Sequence, residues 1–140
     1  MKNIIHHFNP IPTFKNEFSI SEFDNPKQFY KKLQIYFSSS LNINSTIDPD
    51  IVNNFSRDWS NLSGYANMLV KPNNIEECSK VLKVCYKNKI PITISAGQTN
   101  LTGSATSRGG IILSILNLNN TNEITIDANL KEAYTPAGVY

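Results

Sequence analysis

The part of the chain that most constrains its fold is residues 67–94, where two short apolar segments flank a helical pattern. Residues 67–70 and the run around Ile92 and Ile94 have the composition of strands. Between them, Asn74 can cap a helix over residues 75–88. A strand, a helix and a second strand within so few residues predict a βαβ unit with parallel strands and a right-handed crossover.

The helix of this unit has an amphipathic pattern. Glu76 and Glu77 lie in its first turn and lysines lie at its end, which matches the helix dipole. The spacing predicts an inward face that consists of five residues. These are Ile75, Cys78, Val81, Leu82 and Cys85.

Other elements are predicted on both sides of this unit. Residues 1–23 are polar, contain Pro10 and Pro12, and are interpreted as an extended arm. Asp24 or Asn25 can cap a helix that runs to about residue 38, with Pro26 in its first turn. The remaining predictions are a loop over 38–45, a short helix over 48–55, a strand over 111–115, a turn over 116–120, and a hairpin-like pair of strands over 123–127 and 132–135. The expected fold class is α/β (α+β), with a small sheet flanked by helices.

Composition narrows the class of protein. The chain has 140 residues, a formal net charge of +2 and scattered lysines, so it lacks the basic patch of a nucleic-acid binder. No apolar run approaches the ~18 residues of a membrane span, and the N-terminus is unlike a secretory signal. These features predict a soluble protein of the cytoplasm with no nucleic-acid partner.

Cysteine and histidine offer no metal site. Cys78 and Cys85 fall on nearly the same helix face but too far apart along the axis to bridge or to share a metal ion, so ordinary buried or half-buried thiols are expected. His6 and His7 have no partner ligand at metal-binding spacing and are interpreted as part of a solvated tail. No catalytic residue is predicted in the chain.

The loop that follows Ile94 is the candidate binding site. It reads SAGQTNLTGS over residues 95–104, and Gly97 and Gly103 permit backbone conformations closed to other residues. Between the glycines, Gln98, Thr99 and Asn100 place consecutive N–H groups at the carboxyl end of a strand. Such an arrangement can form a nest for a phosphate or pyrophosphate.

Hydroxyl groups in the same loop could add hydrogen bonds to phosphate oxygens. They belong to Ser95, Thr99, Thr102 and Ser104. A plain connecting loop is the alternative interpretation. The loop is not a Walker A motif, because no Gly-Lys-Ser/Thr follows, and it is not a Rossmann GxGxxG, because its glycines are six apart and a strand follows.

The order of these motifs resembles a known family. SRDWS, MLVKPNNIEECSKVLKVCYKNKIPITISAGQTNLTGSATSRGGIILSILNLNN, ITID and TPAGV resemble the FAD-binding domain of the FAD-linked oxidases, the vanillyl-alcohol oxidase and PCMH-type superfamily. The branch of D-lactate, glycolate and D-2-hydroxyglutarate dehydrogenases is the most similar. The resemblance covers residues 44–140 and implies the first part of a PCMH-type FAD-binding domain there, with residues 1–43 as an N-terminal arm and helix.

The resemblance also implies a cofactor and its contacts. In the family, the matching loop wraps the FAD pyrophosphate through backbone amides, the glycine of the AGV turn lies near the cofactor, and Gly109 and Gly110 shape the return into the next strand. The implied FAD contacts are Ser95, Ala96, Gly97, Gln98, Thr99, Asn100, Leu101, Thr102, Gly103, Ser104 and Gly138.

The chain departs from the family pattern in three places. Ser95 and Ala96 stand where the family often has an arginine or Pro-Arg, which removes a charged contact but not the nest. The loop has no histidine, the residue that members with covalent flavin commonly carry, so non-covalent FAD is expected. The last turn is AGV where PGV is usual.

Arg57 and Asp58 could be a structural pair, part of a solvated loop, or substrate contacts.

The family's substrate domain is expected to lie beyond this sequence, which implies an N-terminal fragment of a dehydrogenase. One hypothesis is a part of a flavin-dependent oxidoreductase whose parent oxidises a small 2-hydroxy acid. The alternative is a non-catalytic nucleotide-binding or interaction module, or an inactive fragment. Self-association or a completing partner chain is also expected, because truncation exposes apolar edges.

Overall fold

The computed structural model describes residues 25–121 and 124–135. The helices are α1 (Pro26–Ile35), α2 (Pro49–Asn53) and α3 (Ile75–Lys87). The strands are β1 (Asn44–Thr46), β2 (Met68–Lys71), β3 (Ile92–Ser95), β4 (Ile111–Ser114), β5 (Thr125–Asp127) and β6 (Glu132–Tyr134). A π-helical turn, Tyr36–Ser40, continues α1, and a 3-10 turn, Leu116–Thr121, follows β4.

The main sheet has four strands in the order β1-β2-β4-β3. Strands β2 and β3 both run parallel to β4, with Met68 and Ile92 each paired to Ile111. The predicted βαβ unit is therefore present, but β4 lies between its two strands. Strands β5 and β6 form a separate antiparallel pair, as predicted.

Helix starts follow the capping residues. The Asn25 side chain accepts a hydrogen bond from the Gln28 amide at 3.0 Å, and the Asn74 side chain accepts one from the Glu77 amide at 2.9 Å. The Glu77 carboxylate in turn accepts from the amide of Asn73 at 2.8 Å. These caps satisfy N–H groups that lack a partner within the helix and fix where α1 and α3 begin.

Helices cover both faces of the sheet. Phe29, Leu33 and Phe37 from the first helical segment pack in one apolar cluster with residues of α3 and of the central strands. On the opposite face, Val52 of α2 packs against Leu69 and Ile112. Strand β4 is buried along its whole length, as expected for a strand covered on both faces.

Two predictions about these elements are wrong. Residues 44 and 45 were expected at the end of the loop over 38–45, but they belong to β1, because pairing with β2 recruits them despite their polar composition. Ile75 and Leu82 were expected to face the core, yet they are 76% and 45% exposed. On a helix they lie about 100–120° from buried Val81, so the sheet covers the Val81 and Cys85 side and leaves this flank exposed.

Both cysteines are free thiols, as predicted. Cys78 is half-buried and Cys85 is buried. Burial raises the pKa of the Cys85 thiol to about 12, so this thiol stays protonated and unreactive at neutral pH. Across residues 25–121 and 124–135, no helix is both long enough and apolar enough to cross a membrane.

Candidate functional site

The candidate site lies where β3 ends. Residues 95–104, here named the cradle loop, leave the carboxyl end of this parallel strand, and the chain returns to the start of β4 at Ile111. Ligands of parallel sheets bind outside the carboxyl ends of the strands. The structure thus places the predicted loop residues from Ser95 to Ser104 in one continuous segment at that edge. Gly138 lies outside the described residues.

Backbone N–H groups of the cradle loop are available to a ligand. Two carbonyls of the loop accept hydrogen bonds. The Asn100 carbonyl accepts one from the Trp59 backbone amide at 3.1 Å, and the Gly103 carbonyl accepts one from the Thr106 backbone amide at 3.1 Å. Within the described chain, however, no backbone N–H of residues 96–104 donates to a protein group. A run of free donors at a strand end fits an anion such as a pyrophosphate.

The backbone of the loop differs in one detail from the expectation. Gly103 adopts a left-handed conformation, with φ of 76°, which a glycine at this position permits. Gly97 does not, and Gln98 beside it has φ of 57° instead. A left-handed conformation is uncommon for a residue with a side chain, so the local fold must hold Gln98 in place.

Buried hydroxyls lie beneath the loop without a protein partner. Ser95 and Ser114 are paired across β3 and β4, are almost fully buried, and make no hydrogen bond through Oγ within the described chain. Thr106 Oγ1 is a third such group. Buried polar atoms are nearly always satisfied, so these hydroxyls are suited to a ligand or bound water. Of the hydroxyls expected to meet phosphate, those of Thr102 and Ser104 contact each other at 3.3 Å.

Asp58 anchors the loop from a distant part of the chain. One carboxylate oxygen accepts from the Asn100 side chain at 2.5 Å and from the Ala105 amide at 3.2 Å. The other accepts from the amide of Ser60 at 3.0 Å. Hydrogen bonds to the carboxylate lower the pKa of Asp58 to about 2. The largest contribution comes from the Ser60 side chain, followed by the backbone amides of Ser60 and Ala105 and the Asn100 side chain. Among the described residues Arg57 makes no ion pair with Asp58, so the structural Arg–Asp pair does not form.

We expect the Asp58 anchor to weaken in acid. Because the folded-state pKa is about 2 and the usual value is 3.8, the contribution of Asp58 to stability is present at neutral pH and is lost as pH falls from about 4 to about 2. The measurement is the free energy of unfolding of the wild type and of Asp58→Asn between pH 6 and pH 2. Their difference should shrink below pH 4, whereas a constant difference would contradict the assignment.

Two contributors could not be found from the sequence pattern. The sequence pattern assigns a ligand role only to the backbone N–H of Gln98. In the structure the Gln98 side chain donates to the carbonyls of Asn54 at 3.2 Å and Arg57 at 2.5 Å. Ser114 was read only as part of a strand. Neither residue has a local signal, since its neighbours in space lie far away in sequence.

Comparison with known proteins identifies the domain. Residues 66–140, more than half of the chain, match the family described as FAD binding domain. The chain belongs to this FAD-binding family. The predicted family and the α/β fold class are therefore confirmed.

The chain is also similar to sequence relatives and to a solved structure. The chain is 36% identical to a D-lactate dehydrogenase of Anaerostipes hadrus over 52% of its own length and 16% of the relative's. It is 29% identical to a D-2-hydroxyglutarate–pyruvate transhydrogenase of Saccharomyces cerevisiae over 60% and 18%. Its fold is similar to 6-hydroxy-D-nicotine oxidase of Arthrobacter nicotinovorans, with a TM-score of 0.54, 21% identity, and coverage of 69% and 21%.

The matched part of this chain covers less than a fifth of the length of these two sequence relatives. The likeness to the oxidase, at 21% identity, shows the fold alone.

Proposed function

We propose that this domain binds FAD non-covalently and that the cradle loop holds the pyrophosphate through its backbone amides. The single observation that carries the proposal is the run of backbone N–H groups over residues 96–104 that have no acceptor among the described residues. Membership of the FAD-binding family and the unpartnered Ser95 hydroxyl support it. The chain's two histidines are His6 and His7, so the loop offers no histidine for a covalent bond to flavin.

The proposed cofactor contacts are the predicted residues of the loop. Backbone groups from Ala96 to Ser104 would bind the phosphate oxygens, and Ser95 would add a buried hydroxyl; Gly138 stays a predicted contact. Bound FAD would supply a hydride acceptor, while the protein binds and orients it. The parent activity we propose is oxidation of a small 2-hydroxy acid, as the names of the D-lactate and D-2-hydroxyglutarate relatives suggest.

Binding can be measured with the protein's own fluorophore. Trp59 is the only tryptophan of the chain and its amide donates to Asn100 in the cradle loop. We expect FAD to quench Trp59 fluorescence saturably and to raise the melting temperature, since a ligand that binds the folded state stabilises it. ADP, which carries a pyrophosphate, should compete with FAD, whereas riboflavin, which carries no phosphate, should not.

A variant tests the location of the site. Gly103→Val places a β-branched residue at φ of 76°, with its Cβ 2.6 Å from Leu62 Cδ1, so the loop must change conformation. We expect FAD affinity to fall about tenfold or more. Thr125→Val in the separate β5–β6 pair is the matched control and should bind as the wild type. If Gly103→Val remained folded and bound FAD normally, the pyrophosphate would not lie in this loop.

A further inference from the structure

The cradle loop is attached to a segment that lies outside the matched family region. Residues 54–60, here named the brace segment, follow α2 and precede residue 66, where the family match begins. Side chains of the loop bond to the brace segment, and the Trp59 amide of the brace segment bonds to the carbonyl of Asn100. The two segments therefore contact each other through both backbone and side chains.

Gln98 makes one half of this attachment. Its Nε2 donates to the carbonyls of Asn54 and Arg57, so one amide group bridges two positions of the brace segment. The same residue has the left-handed backbone conformation. Because that conformation is unfavourable for a side-chain-bearing residue, the two hydrogen bonds across the brace explain how it persists.

Asp58 makes the other half. Its carboxylate bonds the Asn100 side chain in the loop and the Ala105 amide just after it. The side-chain Nδ2 of Asn100 also donates to Ser104 Oγ at 2.9 Å, so the attachment extends to the end of the loop. Gln98 and Asp58 thus restrain the two halves of a loop whose backbone N–H groups, in the described part of the chain, make no hydrogen bonds to protein groups.

We propose that the brace segment presets the cradle loop for its anionic ligand, with the side chains of Gln98 and Asp58 as positioning groups that do not touch the cofactor. The inference rests on the proposed FAD binding and deepens it. A loop whose N–H groups already point to one site loses little conformational freedom on binding, and this preorganisation increases affinity.

The test uses Gln98 variants that keep the length of the side chain. Gln98→Met removes both hydrogen bonds, and Gln98→Glu places a carboxylate against two carbonyl oxygens. Two lost hydrogen bonds should weaken FAD and ADP binding about tenfold, and Gln98→Glu should be weaker still. Gln34→Glu is the matched control, because Gln34 donates to the Ser45 carbonyl at 3.3 Å in another part of the fold.

A second measurement needs no cofactor. In the FAD-free chain, the fluorescence anisotropy of Trp59 should fall and the Trp59 and Ala105 amides should exchange faster in the Gln98 variants, while Gln34→Glu leaves them unchanged. Gln98→Gly also removes the side-chain hydrogen bonds, and glycine adopts the left-handed conformation without strain. It therefore replaces Gln98→Met or Gln98→Glu if either variant is not folded, as judged by the loss of a cooperative unfolding transition. Unchanged anisotropy, exchange and affinity in all three Gln98 variants would overturn the brace.

The two proposals fail in different ways. If the wild type bound neither FAD nor ADP, the proposed function would fail, and the measurements on the FAD-free chain would still decide whether the brace orders the loop. If the Gln98 variants changed the Trp59 anisotropy and the amide exchange but bound FAD with wild-type affinity, the brace segment would order the loop without presetting it for the ligand. The inference would then be wrong.

Discussion

Replacing Gly64 with alanine is expected to destabilise the domain by about 3 kcal/mol or more, one of its largest single-residue effects. A Cβ at this position would lie 2.2 Å from the carbonyl oxygen of Ser56 and 2.6 Å from that of Ser107. Both atoms belong to the backbone, so neither can rotate away. The affected region joins the brace segment to the chain that returns to β4, and we expect FAD binding to be lost with stability.

Gly109→Ala is the matched control for this prediction. Gly109 has φ of 101°, but a Cβ there would meet only the Tyr65 ring at 3.5 Å or more. Its cost is therefore conformational strain alone, about 1–3 kcal/mol. Urea unfolding of both variants separates the two causes. A smaller loss for Gly64→Ala than for Gly109→Ala would contradict the close backbone approach.

Phe37→Ala is expected to destabilise the protein by about 3–5 kcal/mol. Phe37 is fully buried in the π-helical turn after α1 and packs in the cluster that contains Met68, Val81 and Leu113. Truncation would leave a cavity within this cluster. The measurement is the free energy of unfolding from urea titration followed by circular dichroism.

Ile35→Ala provides the comparison within the same helical segment. Ile35 is 54% exposed, so we expect a change of about 0.5 kcal/mol or less. If Phe37→Ala were equally mild, the first helical segment would not be part of the main core. The expected difference matters because both residues precede the matched family region at residue 66.

Elements with a local cause could be predicted from the sequence. The starts of α1 and α3 follow from Asn25 and Asn74, whose side chains bond amides three residues ahead. The buried run at Ile111 predicted β4, because a strand covered on both faces needs no alternation. The position of the cradle loop could also be predicted, since its glycines and small polar residues directly follow β3.

Features that depend on distant partners could not be predicted. Strand β1 exists because Ser45 pairs with Val70, not because its own residues favour a strand. Asp58 and Asn100 are 42 residues apart in sequence, and Gln98 reaches 44 residues back to Asn54. The left-handed conformation of Gln98 has no local signal, because the neighbouring Gly97 is the residue that composition favours for it.

The position of β4 in the sheet has a consequence for the order of folding. Strands β2 and β3 do not pair with each other, since each forms its ladder with β4. During synthesis, β2, α3 and β3 leave the ribosome before the strand that joins them. The central ladder must therefore close through non-local contacts, a slow step for a small domain. The cradle loop connects β3 to β4, so its two ends are fixed only when β4 inserts between β2 and β3. A nascent chain that ends before β4 would therefore not form the proposed anion site.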